Sequence, residues 1–145
     1  MQKLISCGAV AGLALAALVG ASALAQAEMV KLKAELSGKS EVPMVETKGK
    51  GSAEVTYDTA SKQLTWTVTF SDLTGEATAA HFHGPAEAGK NAGVQVPIGN
   101  NPTSPAKGTA TLTDAQAADL MAGKLYVNVH TAANKAGEIR GQVTK

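Results

Sequence analysis

Residues 64–70 read LTWTVTF, and this short stretch carries the clearest structural signal in the chain. Its large apolar side chains alternate with threonines, so one face of the segment is apolar and the other carries hydroxyls. A period of two is typical of a strand that is half buried in an antiparallel sheet. Residues 53–57 alternate in the same way, and residues 58–63 between them have the composition of a turn. The two segments are therefore predicted to form a β-hairpin.

Alternation of the same kind extends over most of the chain and indicates an all-β fold. It predicts further strands at residues 32–36, 79–83, 94–98, 108–112, 125–131 and 138–143. One stretch differs, because Thr113 and Gln116 have the spacing of a helix capping box and apolar residues follow at helical spacing. The sequence thus predicts an antiparallel β-sandwich or Greek-key barrel with one short helix near residues 114–122.

The N-terminal residues 1–27 have a different composition from the rest. Lys3 precedes a long run rich in alanine and leucine, and residues 25–27 read AQA, a small-x-small cleavage signal. This pattern predicts a secretory signal peptide that is removed before Glu28, leaving a domain at residues 28–145. A membrane-spanning helix is the alternative. We therefore expect a secreted or periplasmic protein that keeps no stable membrane span.

Charge and cysteine content exclude several classes of function. The chain has 13 basic and 12 acidic residues, and this near-neutral balance without a basic cluster argues against nucleic acid as a partner. Its single cysteine, Cys7, lies within the predicted signal peptide. The mature domain is therefore expected to lack disulfides, thiolate metal sites and a cysteine nucleophile.

The three histidines of the chain lie at positions that suit a metal site. His81 and His83 occur in AHFHG, and in an extended segment both imidazoles leave the same face, with Cα atoms roughly 6.6 Å apart. His130 also faces away from the core valines of its own strand. If the two strands are neighbours, the imidazoles form a cluster that suits copper or zinc, with Glu138 as a fourth ligand or a hydrogen-bond acceptor. Histidines in sheets also bond to carbonyls without any metal, and this alternative stays open.

Arg140 is the only arginine, in the sequence GEIRGQ. Its planar guanidinium has five N–H donors, and this geometry suits hydrogen bonds that hold a neighbouring loop or bind a carboxylate. Asn128 is expected to bond to backbone, and the Gly/Asn-rich residues 84–93 to form a mobile loop beside His83. Residues 41–43 read EVP and predict an extended edge segment, since proline cannot donate to a central ladder.

Known catalytic motifs are missing from the sequence. No Gly-x-Ser-x-Gly elbow, phosphate loop or dinucleotide fingerprint occurs. We therefore expect a protein that is not an enzyme. A carbohydrate- or polymer-binding sandwich has little support, because Trp66 and Phe70 are expected to belong to the core and few other aromatic residues remain for stacking.

Four motifs together resemble the CHRD domain, a family named for its occurrence in chordin and also found in exported bacterial proteins. They are EVP at residues 41–43, AHFHG at 80–84, GKLYVNVHT at 123–131 and GEIRGQ at 137–142. The resemblance covers about residues 31–143. It implies an immunoglobulin-like β-barrel similar to that of copper/zinc superoxide dismutases, although the family has no established biochemical function.

The resemblance does not imply dismutase activity, because three histidines and no cysteine in the mature domain are too few for a complete copper/zinc dismutase site. Two hypotheses follow. The first is an exported, non-catalytic domain with a structural or binding role at the cell surface or in the periplasm, where the partner is a protein or polymer. The second is a copper- or zinc-binding protein that uses His81, His83 and His130, with weak redox activity.

Overall fold

The computed structural model describes residues 26–145, so the predicted signal peptide lies, except for its last two residues, outside the described part of the chain. The described residues form eight strands, one α-helix and a 3-10 turn at Gly38–Ser40. The strands are β1 (Met29–Ser37), β2 (Lys50–Asp58), β3 (Gln63–Ser71), β4 (Ala77–His83), β5 (Val94–Asn100), β6 (Ala106–Thr111), β7 (Tyr126–Thr131) and β8 (Ile139–Gln142). Helix α1 spans Asp114–Met121. Within residues 26–145, no helix is long and apolar enough to cross a bilayer.

All eight strands belong to one antiparallel sheet. Their order is β5-β4-β7-β8-β1-β2-β3-β6. The outermost strands β5 and β6 contact each other, so the sheet nearly closes into a barrel. Closure of this kind buries one face of every strand and leaves few unpaired edges. The predicted all-β barrel with one short helix is confirmed.

The elements with the clearest sequence patterns form as predicted. Strands β2 and β3 pair as a hairpin across residues 59–62, with Val55 opposite Trp66. Helix α1 starts at a complete capping box, in which Thr113 accepts from the Gln116 N–H and the Gln116 side chain accepts from the Thr113 N–H. The reciprocal bonds satisfy two backbone donors that a helix otherwise leaves free.

The apolar faces of the strands meet in one core inside the barrel. Trp66 and Phe82 lie at its centre with their rings edge to face, 5.4 Å apart between centroids. Phe70, in contrast, is only partly buried and packs against this core from its edge. The expectation that both Trp66 and Phe70 are core residues therefore holds fully for Trp66 alone.

Alanine at Phe82 is expected to reduce the free energy of unfolding by about 3–5 kcal/mol, because it removes a fully buried aromatic side chain and leaves a cavity against Trp66. Urea denaturation of the two proteins measures this difference. The matched control is Val94→Ala on the neighbouring strand, where the valine is 53% exposed, and a change of under about 0.5 kcal/mol is expected there. Equal effects of the two substitutions would contradict this account of the core.

The prediction of an extended edge segment at residues 41–43 is wrong. These residues form bends after the 3-10 turn at Gly38–Ser40 and pair with no strand. The side chain of Glu41 points inward, where its carboxylate accepts a hydrogen bond from the amide of Asn128 on β7. This buried contact joins the segment to β7.

Candidate metal centre

The register between β4 and β7 brings the three histidines onto one face of the sheet. In this antiparallel pair Ala79 lies opposite His130, and His81 lies opposite Asn128. The side chains of Ala80 and Phe82 point into the core, so His81 and His83 point outward. Because His130 is also on the outer face, the three imidazoles converge.

The imidazole nitrogens are close enough to share one ion. His81 Nδ1 lies 3.1 Å from His130 Nε2, and the ligand nitrogens of all three residues lie within 4.8 Å of one another. Ring centroids are 5.4 Å apart for His81 and His83 and 5.9 Å apart for His83 and His130. A tetrahedral ion with metal–nitrogen bonds near 2.0–2.1 Å needs nitrogens about 3.3 Å apart. Small side-chain rotations therefore suffice to enclose such an ion.

Backbone carbonyls fix the orientation of two of the rings. His83 Nδ1 lies 3.0 Å from the carbonyl oxygen of Ala92, and His130 Nδ1 lies 2.9 Å from that of Lys135. A carbonyl can only accept, so in both rings Nδ1 carries the hydrogen and Nε2 presents its lone pair. Among the described side chains, His83 Nε2 is a buried nitrogen with no hydrogen-bond partner. Metal-binding histidines are commonly held by such contacts at the nitrogen that does not bind the ion.

The surroundings favour neutral imidazoles. Burial lowers the pKa of His81 below its ordinary value, and the nearby His130 lowers it further. Burial also lowers the pKa of His83, an effect that its bond to Ala92 partly opposes and that electrostatic interactions with His81, His130 and Arg140 reinforce. A lowered pKa favours the neutral form of His81 and His83, in which each ring keeps a lone pair, as metal binding requires.

Tyr126 connects the cluster to Arg140. Its ring is stacked on that of His83 with centroids 5.0 Å apart and an angle of 6° between the planes. The guanidinium carbon of Arg140 lies 3.5 Å from the centroid of the Tyr126 ring, an arrangement typical of cation–π contacts. Since β7 lies between β4 and β8, the three side chains form a continuous stack along the outer face.

Arg140 also holds the loop at residues 84–93. The guanidinium donates to the side-chain oxygen of Asn91 at 2.9 Å and to the carbonyl of Lys90. The hydroxyl of Tyr126 accepts from the Ala92 N–H at 3.1 Å and lies 3.2 Å from the Ala92 carbonyl. This is the same carbonyl that orients His83. The guanidinium of Arg140 therefore holds the same loop whose Ala92 carbonyl orients the ring of His83.

Glu138 lies apart from the three imidazoles. Its carboxylate accepts five hydrogen bonds, from the hydroxyls of Thr47, Thr74 and Thr131, from the Thr74 N–H and from the amide of Asn134. The residue is fully buried. Burial alone would raise the pKa of Glu138, but the donated bonds outweigh it and lower the pKa to about 2. In this geometry Glu138 is not part of the group of possible metal ligands, which contains only the three histidines among the described residues.

Asn128 bonds to a side chain, not to backbone. Its amide donates to the carboxylate of Glu41, and both residues are buried. Gly137 lies against this pair with φ +132°, and a Cβ atom there would collide with both side chains. A glycine is therefore required at the start of the GEIRGQ sequence.

Burial raises the pKa of Glu41 to about 7, although Arg140 and the hydrogen bonds from Val42 and Asn128 oppose the rise. The folded state therefore binds a proton more tightly than the unfolded chain, so this group makes stability fall as pH rises from about 4.5 to about 7. Glu41→Gln, which stays neutral and still accepts from Asn128, is expected to lack that fall. At pH 8 the variant should be more stable than the wild type by roughly 2–3 kcal/mol.

Urea titrations between pH 4 and pH 8 test the role of Glu41. The matched control is Glu46→Gln, an exposed change of the same kind five residues away. It is expected to alter stability by under about 0.5 kcal/mol at every pH. Parallel pH profiles for the wild type and Glu41→Gln would contradict the assignment.

Sequence reasoning missed the parts of the site that hold the histidines in place. The stacking of Tyr126 was not foreseen, although its position on the same strand face as His130 was a usable signal. The carbonyls of Ala92 and Lys135 left no signal, because backbone atoms of loops are not distinguished by residue type.

A comparison with known protein families gives one match. The profile of the CHRD domain matches residues 32–143, which include every strand from β2 to β8 and most of β1. No curated protein and no solved structure shows a significant match. The matched region contains the three histidines, Arg140 and the loop that Arg140 holds. Because the match covers most of the chain, this protein belongs to the CHRD domain family.

Proposed function

We propose that this CHRD domain is an exported, non-catalytic metal-binding protein that holds one copper or zinc ion on His81, His83 and His130. A single observation carries the proposal, namely that three imidazoles from two strands place their ligand nitrogens within 4.8 Å of one another. Export is supported by the signal-peptide pattern of residues 1–27.

The orientation of the rings supports a metal site over a chance cluster of polar residues. Histidines that only cover a surface gain most when both ring nitrogens bond to protein or water. Here His83 Nε2 is buried without a partner while its Nδ1 is fixed by the Ala92 carbonyl. A lone pair held in this way, beside two other imidazoles, is satisfied when an ion binds.

The donor set determines the class of metal. Three imidazoles with no carboxylate in the group suit copper or zinc. Calcium and magnesium bind through oxygen ligands and are therefore poor candidates. When bound, the ion supplies Lewis acidity, and copper also supplies redox activity. The backbone carbonyls of Ala92 and Lys135 would hold His83 and His130 in the orientation that the ion needs.

Metal titration of the full chain, expressed with its own N-terminal segment and purified without a histidine tag, tests the proposal. We expect one copper or zinc ion per chain, and at free metal 100 times the Kd about 2.7 kcal/mol of stabilisation. The variant His81→Ala/His83→Ala should lose both effects. The control Ser52→Ala/Thr69→Ala removes a bonded pair of hydroxyls from β2 and β3 and should keep both.

A structural or binding role without metal is the second candidate, and it rests on membership of the CHRD family. If wild type and both variants bind no metal above background, the histidines serve as polar scaffolding. The search would then turn to protein or polymer partners at the cell surface.

A further inference from the structure

The three ligands of the proposed metal site leave room for a fourth. All of them project from the outer face of the neighbouring strands β4 and β7. No described cysteine, aspartate or glutamate lies close enough to join the group. A four-coordinate ion with three protein ligands keeps one position for a molecule from solution. The structure therefore raises the question of what occupies that position.

A pocket of about 420 Å³ opens beside the imidazoles. His81 and His130 form one side of it, and most of the other lining residues have small side chains, among them Thr78, Ala79 and Ala132. Apart from the two imidazoles, no aromatic or large apolar side chain among the described residues lines this pocket. The pocket thus gives solvent access to the rings of His81 and His130, whereas His83 does not line it.

The charge around the pocket is positive when an ion is bound. Neutral imidazoles leave the full charge of a divalent ion uncompensated by any ligand. Lys135 lines the pocket and adds a second positive charge to that of the ion. Glu138 does not line the pocket, and its carboxylate accepts the five hydrogen bonds described above, one of them from Thr131. A positive site of this size, with no acidic lining residue, favours small anions over neutral or cationic ligands.

We infer that the ion held by His81, His83 and His130 keeps one coordination position open toward this pocket and that the position binds small monodentate anions. This inference rests on the proposed metal site. Lys135 contributes by its charge at the pocket, and its carbonyl separately orients His130.

Azide titration of the Cu(II)-loaded full chain tests the inference. Azide is a small monodentate anion, and its binding to Cu(II) produces a new charge-transfer absorption and a shifted electron paramagnetic resonance spectrum. We expect both changes to saturate at one azide per copper. Copper content is measured first, on the same samples.

Two charge-reversal variants test whether the anion binds at this pocket. Lys135→Glu reverses a charge at the pocket while keeping the backbone carbonyl, and it is expected to weaken azide binding about 3- to 10-fold per bound copper. The matched control is Lys31→Glu, at an exposed position on β1, a strand separated from β7 by β8. At the same ionic strength it should leave azide affinity within about 2-fold of the wild type.

The outcomes separate the inference from the proposed function. Stoichiometric copper with no spectral response to azide would overturn the open position and leave the metal site intact. Absence of copper binding would overturn both. Azide binding that the two lysine variants weaken equally would overturn the placement of the anion at this pocket.

Discussion

Alanine at His83 is expected to reduce the affinity for copper or zinc by more than about 100-fold. The substitution removes one of three ligands, and even partners that only orient a ligand contribute 10–100-fold to metal affinity. His83 is the histidine whose free nitrogen is buried without a partner. Its loss therefore removes the donor that is best prepared for an ion.

The measurement is a competition titration with a chelator of known affinity, made on the wild type and on His83→Ala. The matched control is Val94→Ala, because Val94 lies directly opposite His83 on β5 and is exposed. It tests whether any disturbance of this strand pair weakens binding. Thermal unfolding without metal checks that both variants fold. A loss of under 10-fold for His83→Ala would show that His83 is not a ligand.

Replacement of Glu138 by alanine is expected to reduce the free energy of unfolding by about 3–5 kcal/mol. The carboxylate accepts from Thr47, Thr74, Thr131 and Asn134, which come from three separate segments of the chain. Without it, these buried or partly buried donors lose their shared acceptor. The effect should exceed that of any single threonine substitution in this group, such as Thr47→Val.

The same carboxylate makes stability depend on pH. The pKa of Glu138 is about 2 in the folded protein, against an ordinary value near 4.3 in an unfolded chain. Its contribution is therefore fully present above about pH 5 and is lost as pH falls toward 2, with a size of roughly 3 kcal/mol. Glu138→Gln cannot ionise and should lack this component.

Urea titrations of the wild type and Glu138→Gln from pH 2 to pH 7 isolate this contribution. The difference in free energy of unfolding between the two proteins should increase with pH up to about 5 and then stay constant. Other acidic groups cancel in the difference, since both proteins contain them. A difference that is the same at every pH would mean that Glu138 has no lowered pKa.

Much of the fold follows from the local sequence. Alternation at residues 64–70 and 53–57 predicts β2, β3 and their hairpin, because the side chains of a strand point to opposite faces in turn. The capping box at Thr113 and Gln116 predicts the start of α1. These signals are contained within a few neighbouring residues, and tertiary contacts do not override them.

The local sequence pattern predicts the candidate site only in part. The period of two indicates that His81, His83 and His130 face away from the core, yet their proximity depends on the register of β4 against β7, which joins residues about 50 positions apart. Glu138 illustrates the limit. Its position a few residues after His130 suggested a role beside the histidines, whereas Thr47, 91 residues away in sequence, donates to its carboxylate.

The central claim is that one ion binds to three particular nitrogen atoms. Anomalous X-ray diffraction from crystals of the copper- or zinc-loaded protein, recorded on both sides of the absorption edge of the metal, tests this most directly. We expect one strong peak within about 2.0–2.1 Å of His83 Nε2, His130 Nε2 and one ring nitrogen of His81. A peak at any other place on the protein, or no peak at full metal occupancy in solution, would contradict the account.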